Sequence, residues 1–383
     1  MRASSRSGGI ELFTVRRCVY VLFAILAFGA VGCEDNALPP PPDSPPQINI
    51  AAIRGMPSDD VYDVFVDSQN RLWLATEQGV VMFANSQAAE FDFDDATWFS
   101  DRDGIPNLRC RAVAELNDKI FVATWGGGLG IGDANNLDLE WGTVGSEEGL
   151  PVTRITALAA DDSSLWMATV DGVFQYLDNP ALPVEERIID HSGPNEFSWG
   201  DDLVGPGLFT GILVHNDATR GPEVWTSENL RSEGGLEAPG GVRVLRFPGT
   251  QYFSTKSSGI PSDDVNGIGY DSYRDVFWTA HATLGVASLD VDARTWTHYS
   301  VGEGLVSNLA SGVAVNHANT PWPTGTVWIA TQNGVTKMEP DGDMVNYTDG
   351  SGLPSLRARK VFVDHNNNVW LGFVDGGAAK VMP

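Results

Sequence analysis

Two short phrases recur along this chain in a fixed order, and that repetition limits the fold more than any single motif. The first is a turn phrase: Gly55-Met56-Pro57-Ser58, Gly104-Ile105-Pro106-Asn107, Gly149-Leu150-Pro151-Val152, Gly259-Ile260-Pro261-Ser262, Gly304-Leu305-Val306-Ser307 and Gly352-Leu353-Pro354-Ser355. Its intervals are 49, 45, 110, 45 and 48, so the interval of 110 holds two units with one phrase degenerate. The second is an apolar phrase around an aromatic residue. It begins as Leu72-Trp73-Leu74-Ala75-Thr76 and places Trp73, Phe121, Trp166, Trp225, Trp278, Trp328 and Trp370 at intervals of 42 to 59 residues. That makes seven copies.

Within a copy every signal is β. After the turn phrase comes a short apolar strand such as Val61 to Val66. A polar turn follows, then the aromatic strand, then a third strand opened by Gly79 or its equivalent. An outer strand such as Thr97-Trp98-Phe99 closes the unit. No stretch sustains a period of 3.6, so helix content is expected to be very low. Strands apolar on both faces need cover on both faces, and radially stacked blades supply it at about 40–50 residues per four-stranded blade. The last copy ends after its third strand, and an orphan strand, Gln47-Ile48-Asn49-Ile50-Ala51, precedes the first. The spacing predicts an all-β, seven-bladed propeller of four-stranded antiparallel blades over 47–383. Its N-terminal strand completes the C-terminal blade, so no sheet edge is left open at the junction.

These phrases carry a family resemblance. Gly-Leu-Pro-Ser, then Val-x-x-Ile/Val-x-x-Asp, a turn, Leu-Trp-Ile-Ala/Gly-Thr and Gly-Val resembles the two-component regulator propeller repeat across nearly all of 47–383. The resemblance implies the propeller fold and, more loosely, an exported sensor part. No kinase phrase or second membrane segment occurs in the sequence, so signalling is implied less directly than fold.

The first 32 residues read as an address. Arg2, Arg6, Arg16 and Arg17 precede an apolar run from Cys18 to Val31, shorter than the ~20 residues a spanning helix needs. The run ends Ala30-Val31-Gly32-Cys33, which resembles a bacterial lipobox. Residues 1–32 are therefore expected to be a lipoprotein signal peptide and Cys33 the lipidated residue. Residues 33–46 form a proline-rich linker with six prolines between Pro39 and Pro46. Cys110 is left as a lone thiol expected to be buried and inert. The expected location is exported, periplasmic or cell-surface, with the membrane as partner through the anchor. The chain carries a formal charge of −26, and loss of residues 1–32 leaves −29. A surface this acidic repels phosphate backbones, so nucleic acid is not an expected partner.

Catalytic motifs are sparse. No Gly-x-Ser-x-Gly elbow, His-Glu-x-x-His, Cys-x-x-Cys or P-loop is present, and no cofactor or metal is expected. Trp125-Gly126-Gly127-Gly128 reads as a repeat turn more than a phosphate cradle. Asp364 to Asp375 echoes a calcium loop without its required Gly. Asp59-Asp60 and Asp263-Asp264 read as turn caps. His281 stands where other copies keep Thr, and extra polar residues from Asn229 to Pro239 set blade 4 apart. The base distribution is more telling. Arg109, Arg111, Arg154, Arg357, Arg359 and Lys360 all fall where the first strand of copies 2, 3 and 7 begins, and Arg54 precedes the Gly of copy 1. Ring closure makes copies 7, 1, 2 and 3 neighbours, so these bases gather near one channel mouth. They are the candidate binding residues for an anionic small ligand or an acidic protein patch; the competing expectation is mutual neutralisation with loop acids such as Asp59 and Asp60. The expected function is a non-catalytic, sensor-like binding module. The alternatives are a lyase or hydrolase built on His281 and a nearby carboxylate, or a structural envelope scaffold.

The anchor is directly testable. Wild-type protein is expected to incorporate labelled lipid and partition with membranes, and Cys33→Ser to do neither; equal labelling of the two would exclude acylation at Cys33.

Overall fold

The computed structural model describes residues 45–192 and 208–383, save 218–220, 230, 234–235, 239 and 247–248. Cys33, the 1–32 segment and the linker up to Ser44 lie outside the described residues. The propeller expected from the repeats is the observed fold. Blade 1 runs Val61–Val66, Leu72–Thr76, Gly79–Phe83, Ala96–Phe99. Blade 2 is Cys110–Leu116, Lys119–Thr124, Leu129–Asp133, Gly142–Val144, and blade 3 is Ile155–Ala160, Ser164–Thr169, Gly172–Leu177, Ile188–Asp190. Blade 4 is Leu208–Asp217, Gly221–Asn229, Gly241–Arg246, Gly249–Phe253. Blade 5 is Val265–Asp271, Val276–His281, Gly285–Asp290, Thr295–Tyr299, and blade 6 is Ala310–Val315, Val327–Thr331, Gly334–Met338, Met344–Tyr347. Every sheet is an antiparallel meander, and helix among the described residues is confined to three 3-residue 3₁₀ turns.

Blade 7 is built from both ends of the chain. Ala358–Val363, Val369–Phe373 and Ala378–Val381 supply three strands, and Ile50–Ile53 pairs antiparallel with the third, Ile50 opposite Val381 and Ile53 opposite Ala378. The closing strand sits two or three residues later than the Gln47–Ala51 expected from sequence. Ile48 and Ile53 are both buried there.

The core lies between blades. Seven apolar clusters each join one blade to the next. Trp73 packs with Cys110, Val113 and Ile120 of blade 2, Trp166 with Phe209 and Val224 of blade 4, and Trp370 with Val61 and Val64 of blade 1. The aromatic strands are buried along their whole length in blades 1, 3, 6 and 7. Several of the indole N–H groups are satisfied locally. Trp73 donates to Asp67 (2.8 Å), Trp166 to Asp161 (2.8 Å), Trp370 to Asp364 (2.9 Å) and Trp328 to Asn316 (2.9 Å). Asp67 and Asp364 also cap the preceding hairpin turn, accepting from the N–H groups of Gln69 and Arg71, and of Asn366 and Asn368. A buried polar N–H without such a partner would cost about 1–3 kcal/mol. The Asp364 stretch that echoes a calcium loop is therefore a turn that holds a tryptophan.

Glycine opens the third strand for a steric reason. Gly79 has φ +103°, and a Cβ there would collide with the Phe99 carbonyl of the outer strand. The polar insertion of blade 4 forms a separate two-stranded ribbon, Arg231–Glu233 with Leu236–Ala238.

Removing Gln47 to Ile53 strips the outer strand from blade 7 and exposes the Ala378–Val381 edge. Two buried isoleucines and four ladder pairs are lost, so the ring is expected to lose at least about 5 kcal/mol. Urea melts of full-length and truncated protein test this, and coincident curves would show that the ring closes without this strand.

Candidate functional site

The innermost strands of all seven blades surround a central channel of about 700 Å³. Each of these strands carries a β-bulge near its start, at the second residue in six blades and the third in blade 4, where pairing with the aromatic strand skips one position. The seven bulged residues are Tyr62, Arg111, Thr156, Thr210, Asn266, Ser311 and Arg359. They ring one mouth of the channel, beside the turns that join second and third strands.

The ring is chemically uneven. In blades 3, 4 and 5 a short polar side chain ties its blade to the next. Thr156 donates to the Phe209 carbonyl (2.7 Å), Thr210 to that of Val265 (2.6 Å) and Asn266 to that of Ala310 (2.8 Å). In blade 6, Ser311 accepts from Gln332 (3.0 Å). Blades 7, 1 and 2 instead hold large groups. The guanidinium carbons of Arg111 and Arg359 lie 3.6 and 3.8 Å from the Tyr62 ring centre. Two guanidinium groups that close to one centre would overlap on one face, so they bracket the ring from both sides. Arg111 also lies 5.3 Å from the Trp125 ring and Arg154 5.9 Å from it. Arg359, Tyr62, Arg111, Trp125 and Arg154 thus form an alternating row of cations and aromatic rings across four blades.

Carboxylates answer most of the bases. Glu77 serves both Arg109 and Arg111, the latter at 3.0 Å. Asp60 pairs with Arg359 at 2.6 Å, Asp63 with Lys360 at 2.8 Å and Asp375 with Arg357 at 3.5 Å. Burial alone would raise the Glu77 carboxyl, but its bonds to the two arginines outweigh that and hold it below the ordinary glutamate range. Burial likewise pushes the Tyr62 hydroxyl up, against the pull of Arg359 and Arg111, so the ring stays neutral between its cations. Of the six candidate bases, five are paired, and Arg154 alone has no ion-pair partner among the described residues. It is also exposed.

The sequence brings the bases to this mouth and offers Asp60 as a neutralising loop acid, which pairs with Arg359, but gives no sign of Tyr62, Glu77, Trp125 or Asp63 as their partners. The signal that could have found Tyr62 was positional: Tyr62, Arg111 and Arg359 hold the same offset in three consecutive blades. The Gly126–Gly128 turn offers no phosphate cradle. Gly126 and Gly128 N–H bond the Thr153 carbonyl, and Gly127 N–H bonds Thr124 Oγ1. Asp263 accepts from Thr255 N–H and Oγ1 (both 2.6 Å), as a cap does. Cys110 is buried, and burial pushes its thiol up to about 12. His281 is buried beside Thr279, its Nε2 2.9 Å from the hydroxyl. Blade 4 buries a bidentate pair, Arg243 with Glu228 at 2.9 and 3.3 Å.

Comparison with known proteins bears on the fold. The family model of the two component regulator propeller matches residues 55–78, the first copy from its turn phrase through its aromatic strand. The chain carries that repeat, as the resemblance implied. No curated protein matches the sequence. Among solved structures, one similar chain is the extracellular domain of a protein described as a hybrid two-component system from B. thetaiotaomicron. It has 17% identity and a TM-score of 0.61 over 87% of this chain and 42% of that one. PorZ, a surface component of the type-IX secretion system of Porphyromonas gingivalis, is 17% identical with a TM-score of 0.60 over 86% of this chain and 47% of that one. The chain thus spans less than half the length of both. YCF48 bound to D1 peptide is 13% identical with a TM-score of 0.58, covering 89% of this chain and 98% of that one. At these identities the likeness is one of fold.

His281 yields a stability prediction. Burial first, then the charge of His298, pulls its folded pKa down to about 4. As pH falls below the unfolded value of about 6.5, the unfolded chain takes the proton first, so stability drains between about 6.5 and 4. The total is about 3 kcal/mol on the ordinary conversion. His281→Thr, which restores the repeat residue, is expected to flatten unfolding free energy across that window; parallel pH profiles would refute the assignment.

Proposed function

We propose that this propeller is the non-catalytic binding module of an exported protein, held at a membrane through Cys33, and that its mouth across blades 7, 1, 2 and 3 receives an anionic group. One observation carries the reading. Seven equivalent bulge positions ring the mouth, and short polar side chains are enough to tie blade to blade at three of them. Arg359, Tyr62 and Arg111 occupy three others, and they begin a row that runs outward to Trp125 and an unpaired, exposed Arg154.

The ion pairs divide the six bases by task. Arg109, Arg111, Arg357, Arg359 and Lys360 each hold a carboxylate, so they brace neighbouring strands and bias the local field. The pair exposed on both sides, Arg357 with Asp375, contributes only about 0–1 kcal/mol, and the other pairs are partly buried. Arg154 keeps its fork for a ligand. The mouth stands out in a chain of −26 because a cleft focuses its own local field. The catalytic alternative has less support, since His281 is buried against Thr279 rather than aimed at the channel. The neighbouring structures support the binding reading to the extent that a similar fold carries a bound peptide in one case and stands at a bacterial surface in another.

A thermal-shift panel of carboxylates, phosphates and acidic peptides tests the proposal. At least one anionic class is expected to raise Tm, about 2.7 kcal/mol of stabilisation accompanying a hundredfold excess over Kd. The shift is expected to shrink in about 1 M salt, where the Debye length falls to about 3 Å. A panel in which no anion moves Tm would defeat the binding reading and leave the scaffold.

A further inference from the structure

The repeat supplies an internal comparison at the mouth. Arg109 and Arg154 hold the same place, the residue just before the inner strand of blades 2 and 3. Glu77 and Trp125 also hold one place, the residue just after the aromatic strand of blades 1 and 2. Both are fixed by the same backbone bond: Glu77 N–H to the Asp60 carbonyl (3.3 Å) and Trp125 N–H to the Arg109 carbonyl (2.8 Å). From that place Glu77 reaches across to Arg109 of the next blade. One blade on, the same geometry sets the Trp125 indole beside Arg154, 5.9 Å from ring centre to guanidinium carbon. Where blade 1 offers its neighbour a carboxylate, blade 2 offers an aromatic face. Arg154 is thus an arginine whose repeat partner has been replaced.

Three further observations shape what fits there. Glu77 answers both Arg109 and Arg111, and no carboxylate among the described residues pairs with Arg154, so this end of the row carries surplus positive charge. Trp125 is half-buried and rigidly placed, its backbone bridged to Arg154. The turn beside it is open: a Cβ on Gly126 would meet only Asn107 Nδ2, at 3.8 Å. The glycine N–H groups are already bonded, so the arginine fork is what remains for an anion, and the indole what remains for a flat apolar group.

Resting on the binding reading above, we propose that Trp125 and Arg154 form a subsite for a carboxylate borne next to an aromatic ring. The carboxylate takes the place on Arg154 that Glu77 holds on Arg109, and the ring lies against the Trp125 indole. A free aromatic acid and the C-terminal aromatic residue of a partner chain share this chemistry.

Calorimetric titration of the full chain tests it with four probes: N-acetylphenylalanine, its amide, acetate, and a short peptide ending in a free phenylalanine carboxylate. The acid is expected to bind at least about tenfold more tightly than the amide or acetate, and Arg154→Gln to weaken it by a similar factor. Arg154→Lys keeps the charge without the fork and is expected to fall between. Trp125→Leu is expected to weaken the aromatic acid but not acetate. Circular dichroism melts keep the Arg154 variants interpretable, since an exposed, unpaired side chain leaves Tm unchanged. Tighter binding of the peptide identifies the source as a partner chain, equal binding as a free acid, and either supports the subsite. Equal affinity for acid and amide, or for wild type and Arg154→Gln, would overturn it. Phosphate or acidic-peptide binding that is the same in wild type and Arg154→Gln, with no binding of the aromatic acid to wild type, would sink this subsite and leave the mouth reading standing.

Discussion

Each blade buries its second-strand aromatic against the blade that follows, and everything else in this propeller follows from that dependence. Trp73 is covered by blade 2, Phe121 by blade 3, and so on to Trp370, which is covered by blade 1. No blade completes its own core, so a row of blades always leaves one apolar face uncovered until the last meets the first. The closing junction is accordingly fastened more than once. Beyond the Ile50–Ile53 ladder, Arg359 meets Asp60, Lys360 meets Asp63, Arg54 donates to the Pro354 carbonyl and Lys380 to that of Ser86.

The inner ring is drawn together by two different chemistries. In blades 4, 5 and 6 the residue after the bulge is glycine: Gly211, Gly267, Gly312. Backbones approach directly there, and a methyl on Gly267 would stand 3.4 Å from the Gly312 Cα. In blades 7 and 1 the same position holds Lys360 and Asp63, which meet as an ion pair instead. One side of the channel is therefore small and apolar and the other charged. The charge asymmetry at the mouth and the packing asymmetry of the ring are the same feature.

Much of the architecture was legible because a repeat states its own geometry seven times. The spacing of Trp73 to Trp370 sets blade number, and the orphan strand before Gly55 predicts closure. The site was less legible. The clustering of Arg109, Arg111, Arg154, Arg357, Arg359 and Lys360 could be read from the chain, but not which of them would be neutralised. Pairing depends on Glu77 and Asp60, whose contacts with Arg109 and Arg359 span 32 and 299 residues. The role of Tyr62 was hidden by the bulge, which shifts the register by one residue. Alternation along the strand, the rule by which facing is read from sequence, fails at that point.

By itself the sequence determined the all-β class, the number of blades and the joining of the two chain ends, because periodic hydrophobic patterning is local and repeats. The tertiary structure alone decided that Arg111 and Arg359 bracket one tyrosine, that Glu77 serves two arginines and that Arg154 is left with an indole. Those outcomes depend on which residues of adjacent blades share an offset once the ring closes. The distances that decide them, a few ångströms between side chains of different blades, are encoded nowhere along the chain.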